Sequence, residues 1–198
     1  MEIGLYFGSF NPIHVGHLAI ANYMVEFTGI DQIWFVVSPH NPLKEKSTLL
    51  ADHHRLEMVR LAIGDDGRFR ASDIEFKLPR PSYTIDTLAY LEDRYPDKSF
   101  SLIMGSDNLE TIKKWKNYLE VIQNYQLYVY PRPGYLSTPS QLKELSRLAR
   151  KIHLTEAPMM EISSAFIRKS IREKKDMNHL LSPRVYEYIK EMHFYEKH

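Results

Sequence analysis

"GSFNPIHVGH", residues 8–17, ends a short apolar run that starts at Ile3 and leads into a stretch with helical spacing. It reads as strand, turn, then a helix beginning between His14 and Gly16. The start of a helix presents backbone N–H groups that have no intrahelical acceptor, together with the positive end of the peptide dipoles, and so suits an anion. His14 and His17, in the first turn, add imidazole donors. Gly8 and Gly16 remove a Cβ at two points where a ligand can approach the backbone. Two histidines three apart, with no carboxylate or cysteine beside them, make a poor zinc site. An anion site is therefore one reading of the stretch, beside that of histidines satisfied at the surface or in the core, and no protein metal site is expected.

Outward from this stretch, apolar runs alternate with amphipathic segments, the pattern of a parallel α/β sheet. The expected strands are "IGLYFG" (3–8), "QIWFVVS" (32–38), "FRASDIEF" (69–76), "FSLIMG" (100–105), "QLYVYPR" (126–132) and "IHLTEA" (152–157). Most are continuously apolar, as strands covered on both faces are. Helical spacing links Leu56, Val59, Ala62 and Ile63, then Ile85, Leu88, Ala89 and Leu91, then Leu142, Leu145, Leu148 and Ala149. Thr138, Pro139 and Gln141 read as one helix start, and Ser182 with Pro183 as another, whose helix carries Val185, Ile189 and Met192 on one face. The expected fold class is α/β: a Rossmann-like parallel sheet flanked by helices. It forms one domain over residues 1–198, with a small helical C-terminal portion from about 160 to 198. The polar loops "PHNPLKEKST" (39–48) and "KLPRPSY" (77–83) follow strands. Such loops lie at the carboxyl edge of an open α/β sheet, where ligands bind.

Composition narrows the chemistry. Hydrophobic residues make up 43% and charged residues 26% of the 198, which is ordinary for a globular protein. A formal charge of +1 supplies no field for bulk nucleic acid or a membrane surface, so neither is an expected partner, while a local basic pocket for phosphate is compatible with it. The absence of cysteine removes disulfides, thiolate nucleophiles and thiolate metal ligands together. There is no secretory leader pattern and no apolar run near the ~20 residues of a membrane span, so a cytoplasmic enzyme or binding protein is expected. Periodicity does not separate an oligomer face from a core face, and a homo-oligomer is left open.

The full string "GSFNPIHVGH" resembles the phosphate-binding signature of the nucleotidyltransferase α/β superfamily: a glycine, a Ser or Thr, Phe, a polar residue, Pro, then His-x-Gly-His. "PSYTIDTL" (81–88), "MGSDNLETIKKW" (104–115), "YPRPGY" (130–135) and "ISSAFIRKSI" (162–171) follow in the order and spacing of the bacterial nicotinate mononucleotide adenylyltransferases. The resemblance runs over residues 1–192. It implies an HxGH nucleotidyltransferase fold and an enzyme of NAD synthesis whose partners are ATP and nicotinate mononucleotide. The acceptor phosphate would attack the α-phosphorus of ATP, giving deamido-NAD and pyrophosphate, with Mg²⁺ as the ATP counter-ion. Two residues depart from the pattern. Ala165 stands where the Ser-x-Thr-x-x-Arg motif has a hydroxyl, and Asn11 where many relatives have Asp. Three other readings stay open: the same fold acting on nicotinamide mononucleotide, on phosphopantetheine, or binding nucleotide as a regulator without turnover.

The resemblance also implies roles. His14 and His17 would hold ATP phosphate oxygens, His17 at the α-phosphate, with backbone groups of Gly8, Ser9, Phe10 and Gly16 lining the nucleotide. Ser163, Ser164 and Arg168 would grip the β- and γ-phosphates. Gly105, Asp107 and Arg132 would take the ribose and adenine side, although Asp107 with Glu110 also reads as a capping box. On the acceptor, Trp115 would stack on the pyridine ring, although a tryptophan at helical spacing also suits a core. Ser82, Tyr83 and Thr84 would meet the nicotinate carboxylate and Lys44 the acceptor phosphate, with His40 and Arg55 as weaker candidates.

Overall fold

The computed structural model describes residues 1–39, 49–135 and 139–196, the side chains of 139–141 excepted. Six strands, β1 (Glu2–Gly8), β2 (Gln32–Val37), β3 (Phe69–Ser72), β4 (Ser99–Gly105), β5 (Gln126–Tyr130) and β6 (Lys151–Leu154), form one sheet in the order β3-β2-β1-β4-β5-β6. Every pairing is parallel. Alternate residues serve opposite faces, as the pleat dictates. Tyr6, Ile33, Phe35, Ile103 and Tyr128 point into one apolar layer, and Leu5, Trp34, Val36, Leu102 and Leu127 into the other. Both layers are apolar, which is why the strands read as unbroken hydrophobic runs.

Helices cover the two faces. On the Tyr6 side lie α1 (Val15–Phe27) and α2 (Asp52–Ile63), with Ile20, Met24, Met58 and Val59 buried. The other face takes α3 (Thr84–Arg94), α4 (Ser106–Thr111), α5 (Tyr118–Asn124) and α6 (Pro139–Leu148), through Leu88, Leu91, Leu109, Val121 and Leu145. The C-terminal helices α7 (Ser164–Arg172) and α8 (Pro183–Glu191) return to the α1 side and bury Ile167, Val185 and Ile189.

Several details differ from expectation: β5 ends at Tyr130 and β6 at Leu154, short of Arg132 and Ala157, and Leu148 of the α6 stripe is exposed. The third strand ends at Ser72, and Ile74–Lys77 forms a 3₁₀ turn closed by Phe76 N–H on Asp73 O, which buries Ile74 and Glu75 beneath the sheet edge. Met192 lies past the end of α8 and is 41% exposed, so only Val185 and Ile189 form the buried stripe. Thr138 lies outside the described residues.

Helical spacing also hides a polar hub. Arg55 is fully buried on α2, where Nη1 donates to Ser9 O (2.7 Å) and Ser38 O (2.9 Å), Nε to Leu50 O (2.9 Å) and Nη2 to Asp52 Oδ1 (2.6 Å). It ties the loop after β1 to the end of β2 and the start of α2. Its guanidinium is held below the ordinary value by burial, with Asp52 opposing. Arg55→Leu strands three carbonyls and leaves Asp52 with Arg80 as its ion-pair partner among the described residues, and is expected to cost about 3–5 kcal/mol, read as a lower urea midpoint at unchanged slope.

Candidate active site

The strand order brings the carboxyl ends of β1 and β4 side by side where the order reverses, the place at which open α/β sheets bind ligands. The loop after β1 turns at Phe10, whose φ is +45° and whose ring is buried edge-on to His17 (5.2 Å), Phe35 (5.6 Å) and Tyr6 (5.9 Å). A Cβ on Gly8 would lie 2.8 Å from Phe10 Cζ, and one on Gly16 3.1 Å from the His14 ring. These glycines make room first for the protein's own rings, which their sequence position alone did not reveal.

His14 is the N-cap of α1 and His17 lies one turn in. The His14 N–H donates to His17 Nδ1 (3.2 Å), so in its neutral form His17 carries its proton on Nε2, the donor end. The two rings lie 3.8 Å apart. His14 is 5% exposed, and its Nδ1 has no hydrogen-bond partner among the described residues. Burial, and then the Arg132 guanidinium, holds the His14 imidazole down to about 4. It is a desolvated group that is neutral at pH 7.

Helix α7 meets this loop from the far end of the chain. Ser163 caps it, its Oγ accepting the Phe166 N–H (3.1 Å). Ser164 Oγ donates to Pro12 O (2.9 Å), and Arg168 Nη1 donates to Asn11 O (2.7 Å). Ser164 therefore uses its proton on the loop, whereas Ser163 keeps its own for an outside acceptor. Ala165 is exposed beside them. Burial lowers the Arg168 guanidinium, and its Nε has no partner among the described residues.

Beside the two helix starts opens a cleft of about 330 Å³ lined by Asp107, Arg132, Pro133, Tyr135, Met160 and Glu161. That volume sits at the lower end of small-molecule sites. Gly105 is the N-cap of α4, so Asp107 is inside the helix and forms no capping box with Glu110. A Cβ on Gly105 would lie 2.9 Å from Arg132 Cγ. Asp107 Oδ1 lies 3.7 Å from Arg132 Nε and accepts no hydrogen bond among the described residues. Buried side-chain polar atoms without a partner belong to His14, Asp107, Arg168, Glu75 and Ser182, and the first three are site residues expected from the sequence. Such atoms are rare in folded proteins and here collect where a polar ligand would satisfy them. A smaller cavity of about 120 Å³, lined by Glu2, Ser99, Gln126 and Arg150 among others, lies at the opposite edge of the sheet and holds none of these residues.

A second group forms at the start of α3. Tyr83 is its N-cap and Thr84 its first residue. Lys116 reaches across from beside Trp115 to pair with Asp86 (2.9 Å) and to sit over the Tyr83 ring (4.6 Å), so the segments bearing Trp115 and Ser82–Thr84 are neighbours. Trp115 is partly buried against the second apolar layer, which leaves one part of the ring for the core and the rest for solvent. Lys44 and His40 lie outside the described residues.

Residues 5–170 match the cytidylyltransferase-like family. A protein of Flavobacterium johnsoniae named "Probable nicotinate-nucleotide adenylyltransferase" is 57% identical over 197 residues, covering 100% of both chains. Its namesake from Flavobacterium psychrophilum is 54% identical over the same length, again covering 100% of both. The chain belongs to the cytidylyltransferase-like family, and within it to the nicotinate-nucleotide adenylyltransferases. A solved structure, the Plasmodium falciparum nicotinic acid mononucleotide adenylyltransferase complexed with NaAD, has the same fold, with a TM-score of 0.80 over 98% of this chain and 97% of that one at 23% identity.

Of three groups near the signature residues of this adenylyltransferase, Arg55 has another role than the weaker acceptor-side one expected of it, and Glu75 and the Tyr6–Tyr130 pair escape a sequence reading. Arg55 is a scaffold: four of its N–H donors are bound to protein and its side chain is fully buried, so it does not reach a phosphate. Glu75, 3% exposed, accepts from Thr87 Oγ1 (3.0 Å) behind the start of α3, and burial pushes its carboxyl up. The only available signal was an acid inside the apolar run "FRASDIEF". Tyr6 OH donates to Tyr130 OH (3.3 Å) under His17, and nothing in either strand's pattern marks that pair.

The buried His14 gives the fold an acid sensitivity. Folding favours its neutral form, so that contribution is present above the ordinary value of 6.5 and is lost as pH falls toward about 4. Between pH 7 and 4.5, urea titrations are expected to show wild type losing about 2 kcal/mol more than His14→Gln.

Proposed function

We propose that this adenylyltransferase moves the adenylyl group of ATP to nicotinate mononucleotide in NAD synthesis. An oxygen of the acceptor 5′-phosphate forms a bond to the α-phosphorus, the bond from that phosphorus to the β-phosphate oxygen breaks, and pyrophosphate leaves with the electron pair. The attacking oxygen is already anionic, so the protein needs to position and neutralise rather than supply a nucleophile. One observation carries the reading: orphaned polar atoms of His14, Asp107 and Arg168 surround two helix starts that are tied together at the switch point of the sheet.

In this reading His17 Nε2–H and the His14 ring meet phosphate oxygens, and His17 takes the α-phosphate, where charge grows as the bonds exchange. The N–H groups of Gly8, Ser9, Phe10 and Gly16 line the nucleotide. The Ser163 hydroxyl, the α7 amides and the remaining donors of Arg168 hold the β- and γ-phosphates, with Ser164 as the strut that sets their place. Gly105, Asp107 and Arg132 flank the nucleoside. Ser82, Tyr83 and Thr84 offer the start of α3 to the nicotinate carboxylate, Trp115 stacks on the ring, and Lys44 takes the acceptor phosphate. Magnesium enters with ATP. Magnesium keeps several waters and rides on substrate phosphates, so a dedicated carboxylate cage is not required. Residues 1–198 act as one nucleotidyltransferase unit in the cytoplasm, with the two small nucleotides as partners and neither nucleic acid nor membrane involved. Among the described residues no helix is long and apolar enough to cross a membrane.

Pyrophosphate release with nicotinate mononucleotide, nicotinamide mononucleotide and phosphopantetheine in turn tests the acceptor. The largest kcat/KM is expected for the acid, and a larger one for either rival, or none for all three, would overturn the proposal. His17→Ala is expected to lower kcat about 10²- to 10³-fold, with a melting temperature close to wild type.

A further inference from the structure

The ATP site has an anchor at the C-terminus of the chain. After α8 the backbone turns back through two non-glycine residues in the left-handed region, His193 (φ +54°) and Tyr195 (φ +65°). Bulky residues take up such angles only where their surroundings over-determine them, and these positions concentrate at functional sites. Phe194 N–H donates to Ile189 O (3.0 Å), and its ring packs on His54 (4.8 Å) and Tyr188 (5.7 Å), which ties the turn to α2 and α8. Tyr195 then points inward, and its hydroxyl donates to Asn11 Oδ1 at 2.8 Å.

Asn11 lies in the loop between β1 and the two histidines. Its side chain is 3% exposed, and Oδ1 also accepts the Leu50 N–H at 3.3 Å. The carbonyls of this loop are drawn to the protein side: Ser9 O by Arg55, Asn11 O by Arg168 and Pro12 O by Ser164. A carbonyl facing a phosphate would repel it, so turning three of them away leaves N–H groups for the anion. The side-chain carbonyl of Asn11 is a fourth acceptor in the same loop, and the Tyr195 hydroxyl draws it to the same side. Both arginines of this network lie near that hydroxyl, which burial keeps protonated and able to donate.

We infer that Tyr195 is a positioning residue for ATP: by fixing Asn11 it sets the loop that presents His14, His17 and the start of α1 to the phosphates. The inference rests on the proposed ATP site. Tyr195 lies beyond residue 170, where the match to the family ends, so the matched segment does not carry this role. Without the hydroxyl, Asn11 Oδ1 loses the donor that comes from the C-terminal turn, and the loop loses its tie to that turn.

Tyr195→Phe deletes one hydrogen bond and keeps the ring, and Tyr195→Leu deletes both. For each, KM for ATP, KM for nicotinate mononucleotide, kcat, the calorimetric Kd for Mg-ATP and the melting temperature are compared with wild type. The Phe variant is expected to raise KM and Kd for ATP about 3- to 10-fold, with KM for the acceptor and kcat within two-fold. The Leu variant should move the ATP constants further in the same direction. A purely structural tyrosine would lower the melting temperature and the active fraction and leave KM for ATP where it was. That result, or equal rises in both KM values, would overturn the inference while wild-type turnover leaves the proposed function standing. Wild type that binds no ATP would overturn both.

Discussion

Two hydrogen bonds, Arg168 Nη1 to Asn11 O and Ser164 Oγ to Pro12 O, join the first loop of the chain to its seventh helix. Everything specific about the site depends on them. The parallel sheet alone would bring the β1 loop and α4 to one edge, as any sheet of this order does. It would not bring a second helix start against the first. With the ties made, the start of α7 lies against the loop that leads into α1, and the cation of Arg168 is held there, half-buried and with an Nε that has no partner among the described residues. The proposed phosphate site needs that closure, because each dipole acts only over its first turn.

The fold was largely legible in the sequence for the reason the strands were: burial on both faces leaves an unbroken apolar run, and the helices between them show a 3.6-residue stripe. Boundaries failed where an edge was involved. The run "FRASDIEF" continues past Ser72 because Ile74 is buried, but β3 pairs on one side only, and the chain leaves the sheet to bury Ile74 and Glu75 in a turn. Strand order was not legible, since register and neighbours follow from packing between segments far apart in sequence.

The residues proposed to contact the nucleotides were legible in the sequence, and the groups that support them were not. His14, His17, Asp107, Arg132 and Arg168 lie in motifs that follow strands or open helices, and local rules place them at the carboxyl edge. Arg55, Glu75 and Tyr195 carry no such mark. A fully buried arginine sits four residues before Val59, on the apolar stripe of its helix, and its task becomes visible only when the carbonyls of Ser9, Ser38 and Leu50 are seen around it. The same holds for the serines of "ISSAFIR": sequence treats the pair as interchangeable caps, and only geometry separates the cap from the strut.

That division of labour bears on the alanine at position 165. A hydroxyl there would contribute one donor to the phosphate grip. The other functions of the segment are already assigned, with Ser163 capping the helix and keeping a proton to offer, Ser164 bracing the loop, and Arg168 supplying charge. The backbone N–H at 165 is unaffected by the side chain and lies in the first turn, where no intrahelical acceptor exists. Losing one neutral donor removes about 0.5–1.5 kcal/mol of net interaction, a factor of roughly two to ten in affinity, whereas losing the brace or the cation would displace a helix start. Under the proposed function, alanine at 165 therefore removes one contact and leaves in place the cap, the brace and the cation on which the proposed phosphate grip rests.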